Sequence, residues 1–265
     1  MKNLDIYCVT NKKLDFLEKT PLKLVGVGQE KFSSQYLRCD TKDNIYHKEK
    51  YYSELTFHYW YWKNILPGEK SKWVGFCQKR RFWIKSKNDT SRVSKDNLND
   101  FLLQNIDEQL DNNDSFICKP IKISGAKKIK IIKRGWRNLI KNPSIIFDQN
   151  KETISFHFDM HHGYKNLEKA IELLDYKNKN EFYEYVNTKN HYNPHIMCIA
   201  RPEILENWFK DLFSWLERCE EEFGYKTLKG YDTQRLYAYL AERYLSYWFK
   251  KYSKFKELPW TIVET

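Results

Sequence analysis

The sequence predicts an α/β fold: an open, mostly parallel sheet flanked by helices, with a more helical C-terminal half. Three observations carry this. Short apolar runs bounded by turn residues alternate with helical periods through the first half of the chain. Two long amphipathic periods close it. The 265 residues are 41% hydrophobic and 17% aromatic, enough to bury a substantial core and to exclude a disordered chain.

LDIYCV at 4–9 reads as the first strand, rich in β-branched and apolar residues and followed by a Thr-Asn-Lys-Lys loop. A second strand is expected at 22–27, ending near Gly26 and Gly28. A helix follows at 51–65, with Leu55, Tyr59 and Trp62 at i, i+4, i+7, until Pro67-Gly68 breaks it. WVGFC at 73–77 is a buried type of strand. Residues 94–110 read as a helix with Leu98, Phe101, Leu102 and Ile106 inward. Strands are expected at 116–121, at 195–200 and, short, at 153–158, with a helix at 166–174. In the last two helices, at 203–223 and 232–252, Leu205, Trp208, Leu212 and Leu216, then Leu236, Leu240, Tyr244 and Tyr247, each line one face. No repeat of solenoid period is present. The chain is expected to be one domain over 1–265, with a nucleotide-binding half at 1–121, a basic insert at 122–150 and an acceptor-side helical half at 151–265.

The net charge of +11 is concentrated in one place. Lys119, Lys122, Lys127, Lys128, Lys130, Lys133, Arg134, Arg137 and Lys141 fall in a stretch without a single acid, and the rest of the chain is nearly neutral. Such a strip is either a solvated lysine-rich loop or the mark of an anionic partner: lipid headgroups, a diphosphate-linked acceptor or nucleic acid. The six cysteines form no CxxC pair and read as free thiols of a reducing compartment. The N-terminal apolar run is too short for a secretory signal, and no uncharged apolar stretch approaches bilayer length. A cytoplasmic protein is expected, at most peripheral at the inner face of a membrane.

The segment from Asp40 to Trp83 is the most informative. A polar loop, an aromatic-rich helix and an apolar strand succeed one another, and the strand ends on Lys79-Arg80-Arg81. Three consecutive cations at the mouth of a strand must face water or an anion. Guanidinium forks match phosphate oxygens, so Arg80 and Arg81 are candidate diphosphate ligands. The competing reading pairs them with Asp40, Asp43 or Glu54. Thr10, ending the first strand, is placed for nucleotide contact at the edge of such a sheet. Asp40, Asp43 and Asn44 are candidates for ribose or sugar hydroxyls, although Asp and Asn also form turns.

Six blocks, in order, carry a resemblance: IYCVTNKK, DNIYHKEKYYSELTFHYWYWKN, WVGFCQKRRFW, MHHGYKNLEKAIELL, YNPHIMCIARPEILENWFKDLFSWL and GYDTQRLYAYLAERYLSYW. Together they cover nearly the whole chain, which resembles a bacterial capsular and exopolysaccharide glycosyltransferase family, domain of unknown function 4422. The resemblance implies a GT-A-like fold and transfer of a sugar from a nucleotide donor, UDP-linked, to a capsular, exopolysaccharide or lipid-linked glycan. Some relatives are associated with galactofuranose transfer, which makes UDP-galactofuranose a donor candidate. The family match also lifts Glu54, otherwise a helix-start acid favoured by the dipole. The family's strand block usually continues His-Tyr-Arg-Arg; here Gln78-Lys79-Arg80-Arg81 stands instead, keeping the arginine pair without the histidine. The lysine-rich insert looks longer than usual.

GT-A enzymes usually hold a divalent metal on an Asp-x-Asp at the end of an internal strand. Cations occupy that place here, so the expectation is no metal, no cofactor beyond the nucleotide-sugar co-substrate, and inverting transfer. Inversion requires a general base, and such enzymes often supply it late in the chain, where Asp232 is preferred to Glu242. Asp232 also reads as an N-cap, and Glu242-Arg243 as a buried pair. His157, Asp159 and His161 would share a face of a strand and suggest zinc or manganese only weakly. His161 or His162 is the better candidate for acceptor contact, with Asn193 and His195 on the acceptor side and buried structural roles as the competing reading. The other function class is a nucleic-acid-binding protein using the strip at 119–141 with Trp136; no standard motif of that class is present.

Overall fold

The computed structural model describes residues 3–123, 128–141, 143–148 and 151–264. Lys127 of the basic strip, and parts of the 122–150 insert, lie outside the described residues. The chain divides into two compact units. The first comprises Met1–Lys119, His195–Asp211 and Trp248–Thr265; the second comprises Pro120–Pro194 and Leu212–Tyr247.

The first unit holds a nine-stranded sheet. Its strands are β1 (Leu4–Thr10), β2 (Lys23–Gly26), β3 (Leu37–Arg38), β4 (Trp73–Gln78), β5 (Arg81–Trp83), β6 (Ser115–Cys118), β9 (Cys198–Ala200), β10 (Phe255–Leu258) and β11 (Trp260–Ile262); β7 (Ile121–Lys122) and β8 (His191–Tyr192) pair separately in the second unit. The main path runs β10-β6-β9-β4-β1-β2-β3, and β9 alone runs against its neighbours. The expected mostly parallel α/β sheet is therefore present. Strands β1 and β4 are buried along nearly their whole length, as strands covered on both faces must be. Their side chains alternate. Leu4, Ile6, Cys8, Trp73 and Cys77 join one buried cluster with Phe82, Trp83, Leu98, Leu102 and Phe116. Tyr7 and Phe76 meet Phe57 and Tyr61 on the other face at ring distances of 5.1–6.2 Å. Gly75 permits β4 to lie between its neighbours, because a Cβ there would stand 2.8 Å from Ile199 and 3.2 Å from Ile6.

The helices are α1 (Asp15–Glu18), α2 (Glu49–Tyr52), α3 (Leu55–Asn64), α4 (Leu98–Phe101), α5 (Lys128–Lys141), α6 (Ile154–His162), α7 (Asn166–Glu172), α8 (Tyr176–Thr188), α9 (Pro202–Phe223), α10 (Tyr231–Gln234) and α11 (Leu236–Tyr252). Several expectations are corrected. The helix expected at 51–65 is broken at Ser53, whose φ of 52° and ψ of −129° separate α2 from α3. The buried side of α3 is then Leu55, Phe57, His58 and Tyr61; Tyr59 and Trp62 lie outside it and donate to Asp43 and Glu206. The helix expected at 94–110 shrinks to α4, since Leu102 is extended and Ile84 bridges to it. The strand expected at 153–158 is helix α6, begun by Thr153, whose hydroxyl accepts from the Phe156 N–H. The last helix is interrupted at Arg235, and the part of the basic strip at 128–141 is helix α5 rather than loop.

In the second unit, Phe182, Trp215, Tyr244 and Tyr247 form an aromatic cluster tied by Asn178, which donates to the Tyr244 hydroxyl at 2.8 Å. All six cysteines are buried free thiols. Among the described residues, no helix is long and apolar enough to cross a membrane.

Candidate functional site

In an open α/β sheet, ligands collect outside the C-terminal strand ends where the strand order reverses. Here that point lies beside β1, flanked by β2 and β4. The loop after β1 is closed by Thr10, which is buried. Its hydroxyl donates to the Lys12 carbonyl at 2.6 Å and accepts from the Lys12 N–H. Thr10 therefore shapes the loop rather than presenting its hydroxyl. Beyond it, Asn11 accepts from Lys79 Nζ at 2.5 Å.

The cationic triplet sits on a tight hairpin. Gln78 pairs with Arg81 across the β4–β5 turn, leaving Lys79-Arg80 at its tip. The Arg80 carbonyl accepts from Val263 N–H at 2.9 Å, and β5 pairs with β11, so the hairpin is braced from the far end of the chain. Arg81 reaches Gln78 Oε1 at 3.1 Å, and Gln78 Nε2 donates to Glu54 Oε1. The direct pairing of these arginines with Asp40, Asp43 or Glu54, the competing reading, is not seen among the described contacts; Glu54 is linked to Arg81 through the amide. Glu54 is aimed there by Ser53, a non-glycine residue held at positive φ, a conformation costing on the order of 1 kcal/mol that persists only where surroundings enforce it. The enforcing bonds are Ser53 N–H to Glu49 O, and Thr56 N–H and hydroxyl to Ser53 O.

Arg38, at the end of β3, is the site residue that sequence reading overlooked. Its Nη2 donates to the Gly28 carbonyl at 3.1 Å and to the Tyr46 hydroxyl, and its guanidinium lies over Phe32 and Tyr46. Asp40 is 3.6 Å away and exposed. Nothing in the sequence marked it, because the strand that carries it is only two residues long. Three arginines share one property: Nη1 of Arg38, Nε of Arg80 and Nε of Arg81 are buried with no hydrogen-bond partner among the described residues. An orphaned donor on a charged group costs about 1–3 kcal/mol or more, and an anion is the partner that would satisfy it.

Asp43 and Asn44 are engaged locally. Asp43 accepts from Tyr59 at 3.1 Å, and Asn44 binds Lys42 O and Tyr46 N–H as a turn. The turn after β4 offers an amide and three cations, a donor set that does not fit a divalent metal. Among the described residues, no group of three or more His, Cys, Asp and Glu is arranged to hold one.

The second unit gathers a different set. His157 and His161 lie with ring centres 4.5 Å apart, tilted by 36°, one helical turn apart, while Asp159 turns away to accept from Asn138 and from Lys165 N–H; the shared strand face does not exist. His162 stacks on Tyr239 at 3.7 Å, and its Nδ1 is 2.8 Å from the Asp232 carbonyl. Burial, and then the positive charge of Arg243, pull the His162 imidazole down to about 4, so it is neutral at physiological pH. Glu242 is ion-paired with Arg243, which is buried, packs on Tyr192 at 4.0 Å and approaches His157 at 3.4 Å. Asp232 is not an N-cap: Gly230 holds that position, and Asp232 lies inside the first turn of α10. His161, His162, Asp232 and Glu242 thus share one locality. Asn193 is fully buried, its backbone bonded to Ser246, and presents no surface to an acceptor in this conformation. His195, in the first unit, packs edge-on against Trp260 at 4.7 Å.

Fold and site together define a doubly wound α/β protein with a cationic rim at the sheet's switch point. The chain belongs to the family described as domain of unknown function DUF4422, whose model matches residues 5–254. Among solved structures it is similar to the apo structure of the bifunctional glycosyltransferase WbbM, with a TM-score of 0.71 and 20% identity over 99% of this chain. It spans 46% of that chain, and the likeness is one of fold. No curated protein sequence matches it.

Proposed function

We propose that this chain is an inverting, metal-independent glycosyltransferase that moves a sugar from a nucleoside diphosphate donor to a capsular, exopolysaccharide or lipid-linked glycan, with UDP-galactofuranose as the leading donor. The observation that carries the reading is the set of three arginines, each with a buried guanidinium nitrogen lacking a partner, at the C-terminal strand ends beside the switch point. The name of the structural neighbour, a bifunctional glycosyltransferase, supports the reaction class. In the reaction the bond from the anomeric carbon to the diphosphate oxygen breaks, and its electron pair goes to the diphosphate. Arg80 and Arg81 neutralise the departing charge in place of a metal. The acceptor hydroxyl attacks the opposite face of the anomeric carbon and passes its proton to a carboxylate. Of the two carboxylates expected as base, Glu242 is ion-paired with Arg243.

The test is thermal stabilisation by UDP, GDP and CMP, with and without chelator, followed by donor turnover. Stabilisation by one nucleotide, unchanged by chelator and lost in Arg80→Ala and Arg81→Ala with the fold intact, is expected. Normal turnover in both variants would overturn the diphosphate assignment; a chelator that abolishes stabilisation would overturn metal independence.

A further inference from the structure

Among the described residues, nine large hydrophobic side chains are exposed, and four of them fall between residues 132 and 147: Ile132, Trp136, Ile140 and Phe147. The first three are spaced i, i+4, i+8 on α5 and form one stripe along the helix. Ile140 is 72% and Phe147 83% exposed. The stripe is not left over from poor packing of the helix, because another side of α5 is already buried. Leu139 joins Ile145, Phe156 and Met160 in a closed cluster. Gly135 lets α5 approach α6 closely, since a Cβ there would stand 3.0 Å from the Phe156 ring. The sequence of α5 carries six cations, Lys128, Lys130, Lys133, Arg134, Arg137 and Lys141, and no acid. Arg137 is exposed and stacks over both Trp136 and Tyr164 at 5.2 Å.

We propose that α5 is an in-plane anchor for an anionic lipid bilayer, seating the stripe Ile132–Trp136–Ile140 and Phe147 below the headgroups with the flanking cations on lipid phosphates. The two halves of the helix select the partner between them. A helix with six cations and no acid calls for any polyanion, but a nucleic acid offers no medium for three exposed apolar side chains in a row. A helix that joins an apolar stripe containing a tryptophan to six cations matches the chemistry of the bilayer interface. The inference is independent of the transferase reading, because it uses none of the residues of the cationic rim.

Flotation of the full chain tests it, with vesicles of phosphatidylcholine and phosphatidylglycerol against phosphatidylcholine alone. Binding to the anionic vesicles only, weakened by salt and reduced roughly tenfold or more in Ile132→Ser/Trp136→Ser/Ile140→Ser, is expected. No vesicle binding, or equal binding by the triple variant, sinks the proposal; so does salt-sensitive capture of duplex DNA or RNA with vesicles ignored. In case the triple variant misfolds, quenching of tryptophan fluorescence by brominated lipids is compared between the native chain and Trp136→Phe. The quenching should largely disappear in Trp136→Phe, and full quenching in that variant overturns the insertion.

Discussion

At the scale of single residues, the link Glu54–Gln78–Arg81 decides how the cationic rim is presented. The Gln78 amide has one donor arm and one acceptor arm, and both are used, one on each neighbour. A neutral imidazole also offers one donor and one acceptor. Gln78→His is therefore expected to keep nucleotide affinity. Gln78→Leu strands the Glu54 carboxylate and an Arg81 nitrogen together, a loss of about 1–3 kcal/mol. Calorimetric titration with UDP should show affinity falling on the order of tenfold in Gln78→Leu, beyond what any change in melting temperature explains. If Gln78→Leu binds UDP as the native chain does, Arg81 needs no such positioning.

At the scale of elements, the central strands were legible because burial on both faces leaves a continuous apolar signature, as in LDIYCV and WVGFC. The misses have local causes. Ser53 adopts a backbone conformation usual for glycine, so nothing in its chemistry announces the break between α2 and α3. In β10, Lys256 and Glu257 stand side by side between Phe255 and Leu258, so a strand of four residues shows no alternation to register. The segment His157-Phe158-Asp159-Met160-His161 alternates like a strand, yet Phe156 and Met160 bury together at helical spacing against Leu139 and Ile145. The start of the helix favours it too: the Thr153 hydroxyl accepts from Phe156 N–H, a first-turn donor without a partner in the helix, at 3.2 Å. Thr153→Ala should lower stability by about 1 kcal/mol, or roughly 2–4 °C in melting temperature for a chain of this size. Thr153→Ser should restore it. Identical melting of Thr153→Ala and the native chain would show that packing alone fixes α6.

At the scale of the whole molecule, the cations at the mouth of β4 were visible in the sequence because charge beside an apolar run stands out. The third arginine was not, because only the sheet order brings the end of β3 to the same edge. Acid sensitivity is likewise a property of the assembled chain. His58 in the first unit is buried among Phe57, Phe76 and Phe209, and burial depresses its imidazole to about 3. His162 in the second is held at about 4. In both, the folded value lies below the unfolded 6.5, so the unfolded chain takes up more protons between those values. Stability is full above about pH 6.5 and falls as the pH drops toward the folded values, by about 2 kcal/mol per histidine at pH 5. Carboxylates act later. Burial opposes it, but the Ser71 N–H and the Tyr61 hydroxyl hold Glu69 below its usual range, so its contribution fades only below about pH 4.5. Melting curves from neutral pH to about pH 5 should therefore show a marked fall in the native chain. His58→Phe, which keeps an aromatic ring in its place and removes the proton site, should flatten that fall by about half. A His58→Phe chain whose melting temperature still drops as steeply as the native one would mean that protonation of this buried ring does not govern acid unfolding.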